Sequence, residues 1–207
     1  MPIQRQLPTA VQHPVVALVA SAGGIEALSR VLAPLPAALP ATVLVALHQD
    51  PRRVSLLSEL LDRRTALAVE EAADGGTLMP GTVLVTPPGH HMLVASPDRL
   101  ALIPCGDFPP ARPSADLLLA TLAVTCGRRA LAVVLTGTGT DGQAGIRAVA
   151  HENGTVFAQD RASSPHSAMP LAATATGLVD AVLPPSALAA RIRDHVSGLR
   201  PRPTGTG

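Results

Sequence analysis

The chain has no tryptophan, no tyrosine and no lysine, and only two phenylalanines, Phe108 and Phe157. Without large rings the interior has to be filled by Ala, Val and Leu, which suits closely spaced layers of strands and helices. All sixteen basic residues are arginines, set against fifteen acidic ones for a net charge of +1. That balance, with abundant Ala and Pro, reads as a coding bias. It offers no footprint for nucleic acid or an anionic membrane, so no nucleic-acid partner is expected. Two cysteines, Cys105 and Cys126, make neither a zinc site nor a disulfide scaffold and are read as reduced structural thiols. No apolar run reaches the ~18 residues of a membrane span. Arg5 and the run Val15–Ala20 imitate a signal peptide, but the run falls short of the ~7–15 residues of a true apolar core. The expectation is a cytoplasmic protein with no membrane insertion.

What is present is core material: 207 residues at 47% hydrophobic suit one domain. Residues 1–13 are polar and without period and read as a loose arm, residues 14–196 as the body, and residues 197–207 as a tail. The body alternates strand-like and helix-like segments. Strands are expected at Val15–Ala20, Thr42–Leu47, Leu67–Glu71, Thr82–Val85, Ala130–Leu135, Thr155–Gln159 and Val179–Leu183. Helical spacing follows Ser21-Ala22-Gly23-Gly24, recurs at Val54, Leu57, Leu60 and Leu61, and covers Ser114–Cys126, Gln143–His151 and Ser186–Val196. Met92–Ala95 and Arg99–Ile103, with Pro97-Asp98 between them, predict an antiparallel hairpin within the sheet. Ala162–Pro170 reads as a long loop. The fold class is α/β: a doubly wound, mostly parallel sheet with helices on both faces, Rossmann-like in plan. Ligands of such sheets bind beyond the carboxyl ends of the strands.

Three chemically useful side chains fall at such ends. Ser21 ends the first strand, His48 the second, and Asp141 lies in the run Thr136-Gly137-Thr138-Gly139-Thr140-Asp141-Gly142 after a third. Ser21 either caps the next helix or presents its hydroxyl, with the Gly23-Gly24 turn leaving backbone N–H groups free for an oxyanion. His48 is either a satisfied strand-end residue or a base. The Gly-Thr run could equally be an anion nest, although it lacks the lysine of a phosphate loop. Taken together they make a Ser-His-Asp hydrolase constellation, because one fold brings all three to one rim. His90 and His91 with His48 invite a metal reading, but no further carboxylate or cysteine lies at usable spacing, so no metal or cofactor is expected. One of the pair, with His91 as the candidate, is expected to line the cleft. Arg112 pairs either with an acidic substrate surface or with Asp116 one turn on. His151 and His166 read as surface residues.

Val19-Ala20-Ser21-Ala22-Gly23-Gly24, His48, Thr86-Pro87-Pro88-Gly89-His90-His91, Arg112-Pro113-Ser114-Ala115-Asp116 and Leu135–Gly142 occur in an order that resembles the catalytic domain of CheB-type chemotaxis protein-glutamate methylesterases. Gln159-Asp160 and Met169-Pro170 continue the likeness, which runs from about residue 14 to about residue 195. The resemblance implies Ser21, His48 and Asp141 as triad; Ala22, Thr138 and Gly139 are candidates about the oxyanion and cleft, and His91, Arg112 and Met169 are candidate substrate contacts. It implies hydrolysis of glutamate methyl esters, with deamidation of glutamines, on a chemoreceptor-like protein partner. The sequence departs from the family's usual residues at Ala22 (commonly Thr), Thr138 (Met), Ala111 (His) and Gln49-Asp50-Pro51 (often Met). The family's phosphoacceptor domain has no counterpart in the thirteen leading residues. Activity is therefore expected to be constitutive or governed by a separate regulatory partner. Two other readings remain open: a non-catalytic binding module on the same fold, and an esterase or amidase for small molecules.

Overall fold

A computed structural model describes residues 13–106 and 111–199. In chain order the elements are β1 (Val15–Ala20), α1 (Gly24–Leu32), β2 (Thr42–Leu47), α2 (Leu57–Asp62), β3 (Ala68–Glu71), β4 (Thr82–Val85), β5 (His90–Ser96) and β6 (Arg99–Pro104). There follow α3 (Ala115–Cys126), β7 (Ala130–Val134), α4 (Gln143–His151), β8 (Thr155–Gln159), α5 (Ala168–Thr174), β9 (Ala181–Leu183) and α6 (Pro185–Gly198). No described helix is long and apolar enough to cross a membrane.

Seven strands form one all-parallel sheet in the order β3-β4-β2-β1-β7-β8-β9. From β1 the chain builds outward on one side through β2 and β4, then crosses to the other side through β7, β8 and β9. The direction of winding therefore reverses between β1 and β7, and a doubly wound sheet opens its ligand crevice at that point. Residues of β1 alternate between two cores. Val15, Ala17 and Val19 face α3, α4, α5 and the β5–β6 hairpin, while Val16, Leu18 and Ala20 face α1, α2 and α6. Burial on both faces is why these strands read as continuous apolar runs rather than alternating ones. Phe157 is the one aromatic ring in the described core, and Leu and Val fill the rest.

Several expectations need correcting. The β5–β6 hairpin is a separate two-stranded sheet, not an antiparallel part of the main one. It lies on α3, where the Val94 N–H donates to Thr121 Oγ1 (3.1 Å) and the Thr125 hydroxyl to the Val94 carbonyl (3.2 Å). Val54 is not on a helix: α2 starts at Leu57 and Val54 is 92% exposed. The supposed loop to Pro170 contains the start of α5. Pro170 is that helix's third residue, in the first turn, where a missing N–H breaks no intrahelical bond. The closing helix runs on to Gly198, into the expected tail. His13, at the end of the expected arm, is half-buried, with its Nε2 2.9 Å from Thr42 Oγ1. Residues 1–12 and 200–207 lie outside the described residues.

Candidate active site

β1 delivers Ser21 to the carboxyl edge at the reversal point. The Ser21 N–H donates to the Thr136 carbonyl (3.0 Å), tying the end of β1 to the end of β7, and the Ser21 carbonyl accepts from the Gly24 N–H (2.8 Å). Ser21 does not cap α1. That position belongs to Gly23, whose φ of 76° requires a residue without a Cβ, and no side chain caps the helix. The Ser21 hydroxyl has no hydrogen-bond partner among the described residues and lines an open cleft of ≈ 640 Å³. Ala22 lines the same cleft, with Leu47, His48 and Leu57. The N–H groups of Ala22 and Thr138 donate to nothing among the described residues, and Thr138 and Gly139 are exposed. Behind the serine, Gly137 leaves no room for a side chain: a Cβ there would stand 2.7 Å from Ser21 Cβ and collide with Met169 Sδ.

Strand register sets His48 beside the serine. Ala20 pairs with Leu47 across β1 and β2, and the His48 N–H donates to the Ala20 carbonyl (2.9 Å). Ser21 and His48 thus leave adjacent parallel strands at the same level, about 4.8 Å apart in the backbone. The imidazole Nε2 lies 2.9 Å from Asp141 Oδ2. A carboxylate only accepts, so in the neutral ring bonded this way Nε2 carries the proton and Nδ1 is the acceptor nitrogen.

Asp141 is gripped by α3. It accepts from the Ala115 N–H (2.6 Å), the Asp116 N–H (3.0 Å) and the Ser114 hydroxyl (3.4 Å). The N-terminal peptide dipoles of α3 are thereby aimed at the carboxylate. Burial pushes the Asp141 carboxyl up, but the bonds from His48, Ala115 and Asp116 outweigh it and hold the group below the ordinary carboxylate range. Asp116 in turn accepts from the Gly145 N–H (2.8 Å) at the start of α4. Its carboxyl is pushed up by burial first and then by the neighbouring Asp141 charge, against the Gly145 bond.

The remaining expected contacts fare differently. His91 does not line the cleft: it is 1% exposed, and its Nδ1 accepts from the Ser114 N–H (2.9 Å), so it braces the turn that opens α3. His90 turns to its own loop, bonding the Pro88 carbonyl (3.0 Å). Met169 is 1% exposed and packs behind Gly137, so it cannot touch a substrate. Arg112 does reach the rim, beside His48, Gln49, Asp50 and Arg52. Its guanidinium donates to the Gly106 carbonyl (3.0 Å) and not to Asp116. Cys105 and Cys126 are buried, and burial pushes the Cys126 thiol up to about 12, which keeps it an inert thiol. Sequence reasoning missed Gln159. This 1%-exposed amide accepts from the Thr136 N–H (2.8 Å) and donates to the Ser163 carbonyl (2.9 Å), locking the turn behind Ser21. A glutamine ending an otherwise apolar buried strand was the available signal.

A doubly wound parallel sheet with serine, histidine and aspartate gathered at its carboxyl edge defines an α/β domain with a Ser-His-Asp cluster. The model of the CheB methylesterase family matches residues 16–192, and the chain belongs to that family. It is 44% identical over 188 residues to protein-glutamate methylesterase/protein-glutamine glutaminase 6 of Anaeromyxobacter dehalogenans, covering 87% of this chain and 54% of that protein. It is 38% identical over 188 residues to the protein-glutamate methylesterase FrzG of Myxococcus xanthus, covering 89% of this chain and 55% of the relative. The chain spans about half the length of the curated relatives it matches. The crystal structure of the Thermotoga maritima CheB methylesterase catalytic domain superposes with a TM-score of 0.84 at 29% identity, covering 89% of this chain and 99% of that one.

Proposed function

We propose that the chain is a serine esterase that removes methyl groups from glutamate γ-methyl esters, and deamidates glutamines, on a chemoreceptor-like protein in the cytoplasm. The observation that carries the reading is the 2.9 Å bond from His48 to Asp141 at a strand end beside the unpartnered Ser21 hydroxyl. Ser21 Oγ attacks the ester carbonyl while His48 Nδ1 takes its proton. Asp141 fixes the ring and stabilises the imidazolium that forms. The Ala22 N–H and an N–H of the Thr138-Gly139 turn hold the oxyanion, a role that depends on backbone, so neither Ala22 nor Thr138 needs the side chain usual in the family. The tetrahedral intermediate collapses, His48 returns the proton to the leaving oxygen, and methanol departs. Water, deprotonated by His48, then attacks the acyl-serine, and collapse returns the carboxylate and Ser21. With a glutamine substrate the same steps release ammonia. Arg112 at the rim, with Arg52 and Arg53 nearby, is available to an acidic substrate surface.

The test is treatment with a serine-directed phosphonate, with mass spectrometry of the protein and methanol release from a methylated receptor fragment. Labelling at Ser21 and turnover that vanish together in Ser21→Ala are expected. A Ser21→Ala protein that keeps full activity removes the proposal. Saturable binding without turnover or labelling makes the chain a binding module. Turnover of simple esters only makes it a small-molecule esterase.

A further inference from the structure

We infer that Asp116 is a positioning residue for the Asp141–His48 pair, holding the loop that carries Asp141 against the N-terminus of α3. The inference rests on the reading that Asp141 and His48 act together. Two helices exchange carboxylates here. Asp141, which precedes α4, receives the N–H groups of Ala115 and Asp116 at the start of α3. Asp116, in the first turn of α3, receives the Gly145 N–H at the start of α4. α3 has a cap of its own, the Ser114 hydroxyl, which accepts from the Leu117 N–H. α4 has none: its N-cap is Gly142, no side chain caps it, and no acidic residue stands in its first turn. Asp116 therefore supplies the side-chain acceptor seen at that helix start, and one residue touches both members of the exchange.

The seat is close. A Cβ on Gly145 would stand 3.3 Å from the Asp116 carbonyl and collide with Leu119, so α4 lies directly on the backbone of α3. Without the Asp116 bond the start of α4 is free to lift, and Asp141 is joined to it through Gly142. Asp116 has no cationic partner among the described residues, and burial works against its ionisation. A half-buried carboxylate without a counter-ion is a poor choice for stability alone. A role in fixing geometry accounts for it.

The test compares Asp116→Ala with Asp116→Asn in the full chain. The Asn side-chain oxygen can still accept from the Gly145 N–H, whereas Ala removes the tie. For Asp116→Ala, kcat on a small aromatic ester is expected to fall about ten- to a hundredfold with KM unchanged, as for a misplaced catalytic group. The downfield proton resonance of the His48 Nε2–H is expected to shift or broaden. Asp116→Asn should keep kcat within about twofold and leave that resonance in place. Wild-type kcat and an unmoved resonance in Asp116→Ala reduce Asp116 to a helix cap and overturn the inference. Should the Ala variant not fold, Asp116→Asn decides: a loss of kcat beyond about tenfold overturns the inference, and retention upholds it. A wild-type chain that turns over no ester, but whose His48 resonance is lost in Ala and kept in Asn, leaves the positioning role standing and removes the esterase reading.

Discussion

Replacing Asp141 with Asn keeps the side-chain shape and removes the charge. The carboxylate takes bonds from His48 Nε2–H at 2.9 Å, Ala115 N–H at 2.6 Å and Asp116 N–H at 3.0 Å. His48 and the Ala115 N–H share Oδ2, while the Asp116 N–H and the Ser114 hydroxyl bond Oδ1. An amide has one acceptor oxygen, so in either orientation its NH2 faces a backbone donor of α3. With the NH2 in the Oδ1 place it opposes the Asp116 N–H and the tautomer of His48 survives. With the NH2 in the Oδ2 place it opposes the Ala115 N–H and donates to Nε2, which forces the imidazole proton onto Nδ1, the nitrogen proposed as base. In both orientations the charge is lost. Opposite charges about 4 Å apart interact by about 4 kcal/mol at an effective dielectric constant of about 20. In the proposed mechanism an imidazolium forms as Ser21 gives up its proton, so that loss falls on the barrier and not on substrate binding. At ~1.36 kcal/mol per tenfold it amounts to roughly a thousandfold in kcat in either orientation. Steady-state hydrolysis of a small ester, alongside the rate of phosphonate labelling at Ser21, measures both. A folded Asp141→Asn protein retaining more than about a tenth of wild-type kcat would refute the assigned role.

Gly137→Ala puts a Cβ 2.7 Å from Ser21 Cβ, and overpacking of this kind is expected to cost about 1–3 kcal/mol in urea unfolding and to slow labelling of Ser21. Gln159→Leu orphans the buried Thr136 N–H, with an expected cost of about 1–3 kcal/mol in the same assay, whereas unchanged stability removes Gln159 as the lock on that turn. The acid dependence has a fixed sign. Burial raises the Asp141 carboxyl, the bonds from His48 and α3 lower it further, and the net shift is down. Its contribution is complete above the ordinary carboxylate range and is lost as pH falls through the depressed folded value. Melting temperature should therefore drop below about pH 4 in the wild type and less steeply in Asp141→Asn. Asp116 is shifted up, chiefly by burial, so it costs stability once ionised, and Asp116→Asn should melt no lower than wild type at pH 7.

The layer plan was legible because strands buried on both faces are plain apolar runs and the turns between them carry Gly and Pro. Strand ends were legible too, and with them Ser21, His48 and Asp141, since a parallel sheet sends every strand end to one rim. The hairpin's placement was not: β5 and β6 have the period of sheet strands, and nothing local tells them to pack on α3 instead of joining β4. Pro170 hid α5, because a proline reads as a breaker unless the helix start is already known. Sequence makes His91 and Met169 candidates for the cleft, but it cannot distinguish a side chain lining a site from one supporting it. Both are buried under the site, one bracing Ser114 and the other backing Gly137.

The missing aromatic rings and the geometry of the site are connected. A carboxylate can cap a neighbouring helix only if the two helix starts approach to hydrogen-bonding distance. Here Gly145 lets α4 settle onto α3 against Leu119, and Gly137 lets the turn after β7 settle onto Ser21. Gly24, where a Cβ would stand 2.5 Å from Leu47 Cδ1 and 2.7 Å from Ala20 Cβ, does the same for α1 against the ends of β1 and β2. Each close approach draws in an element bearing or supporting one member of the Ser21–His48–Asp141 cluster. Interiors are dense enough that even a methyl group shifts its neighbours. In this chain the small residues that fill the core therefore also set the tolerances of the cluster, and enlarging any of these three glycines should harm Ser21 reactivity more than it harms folding.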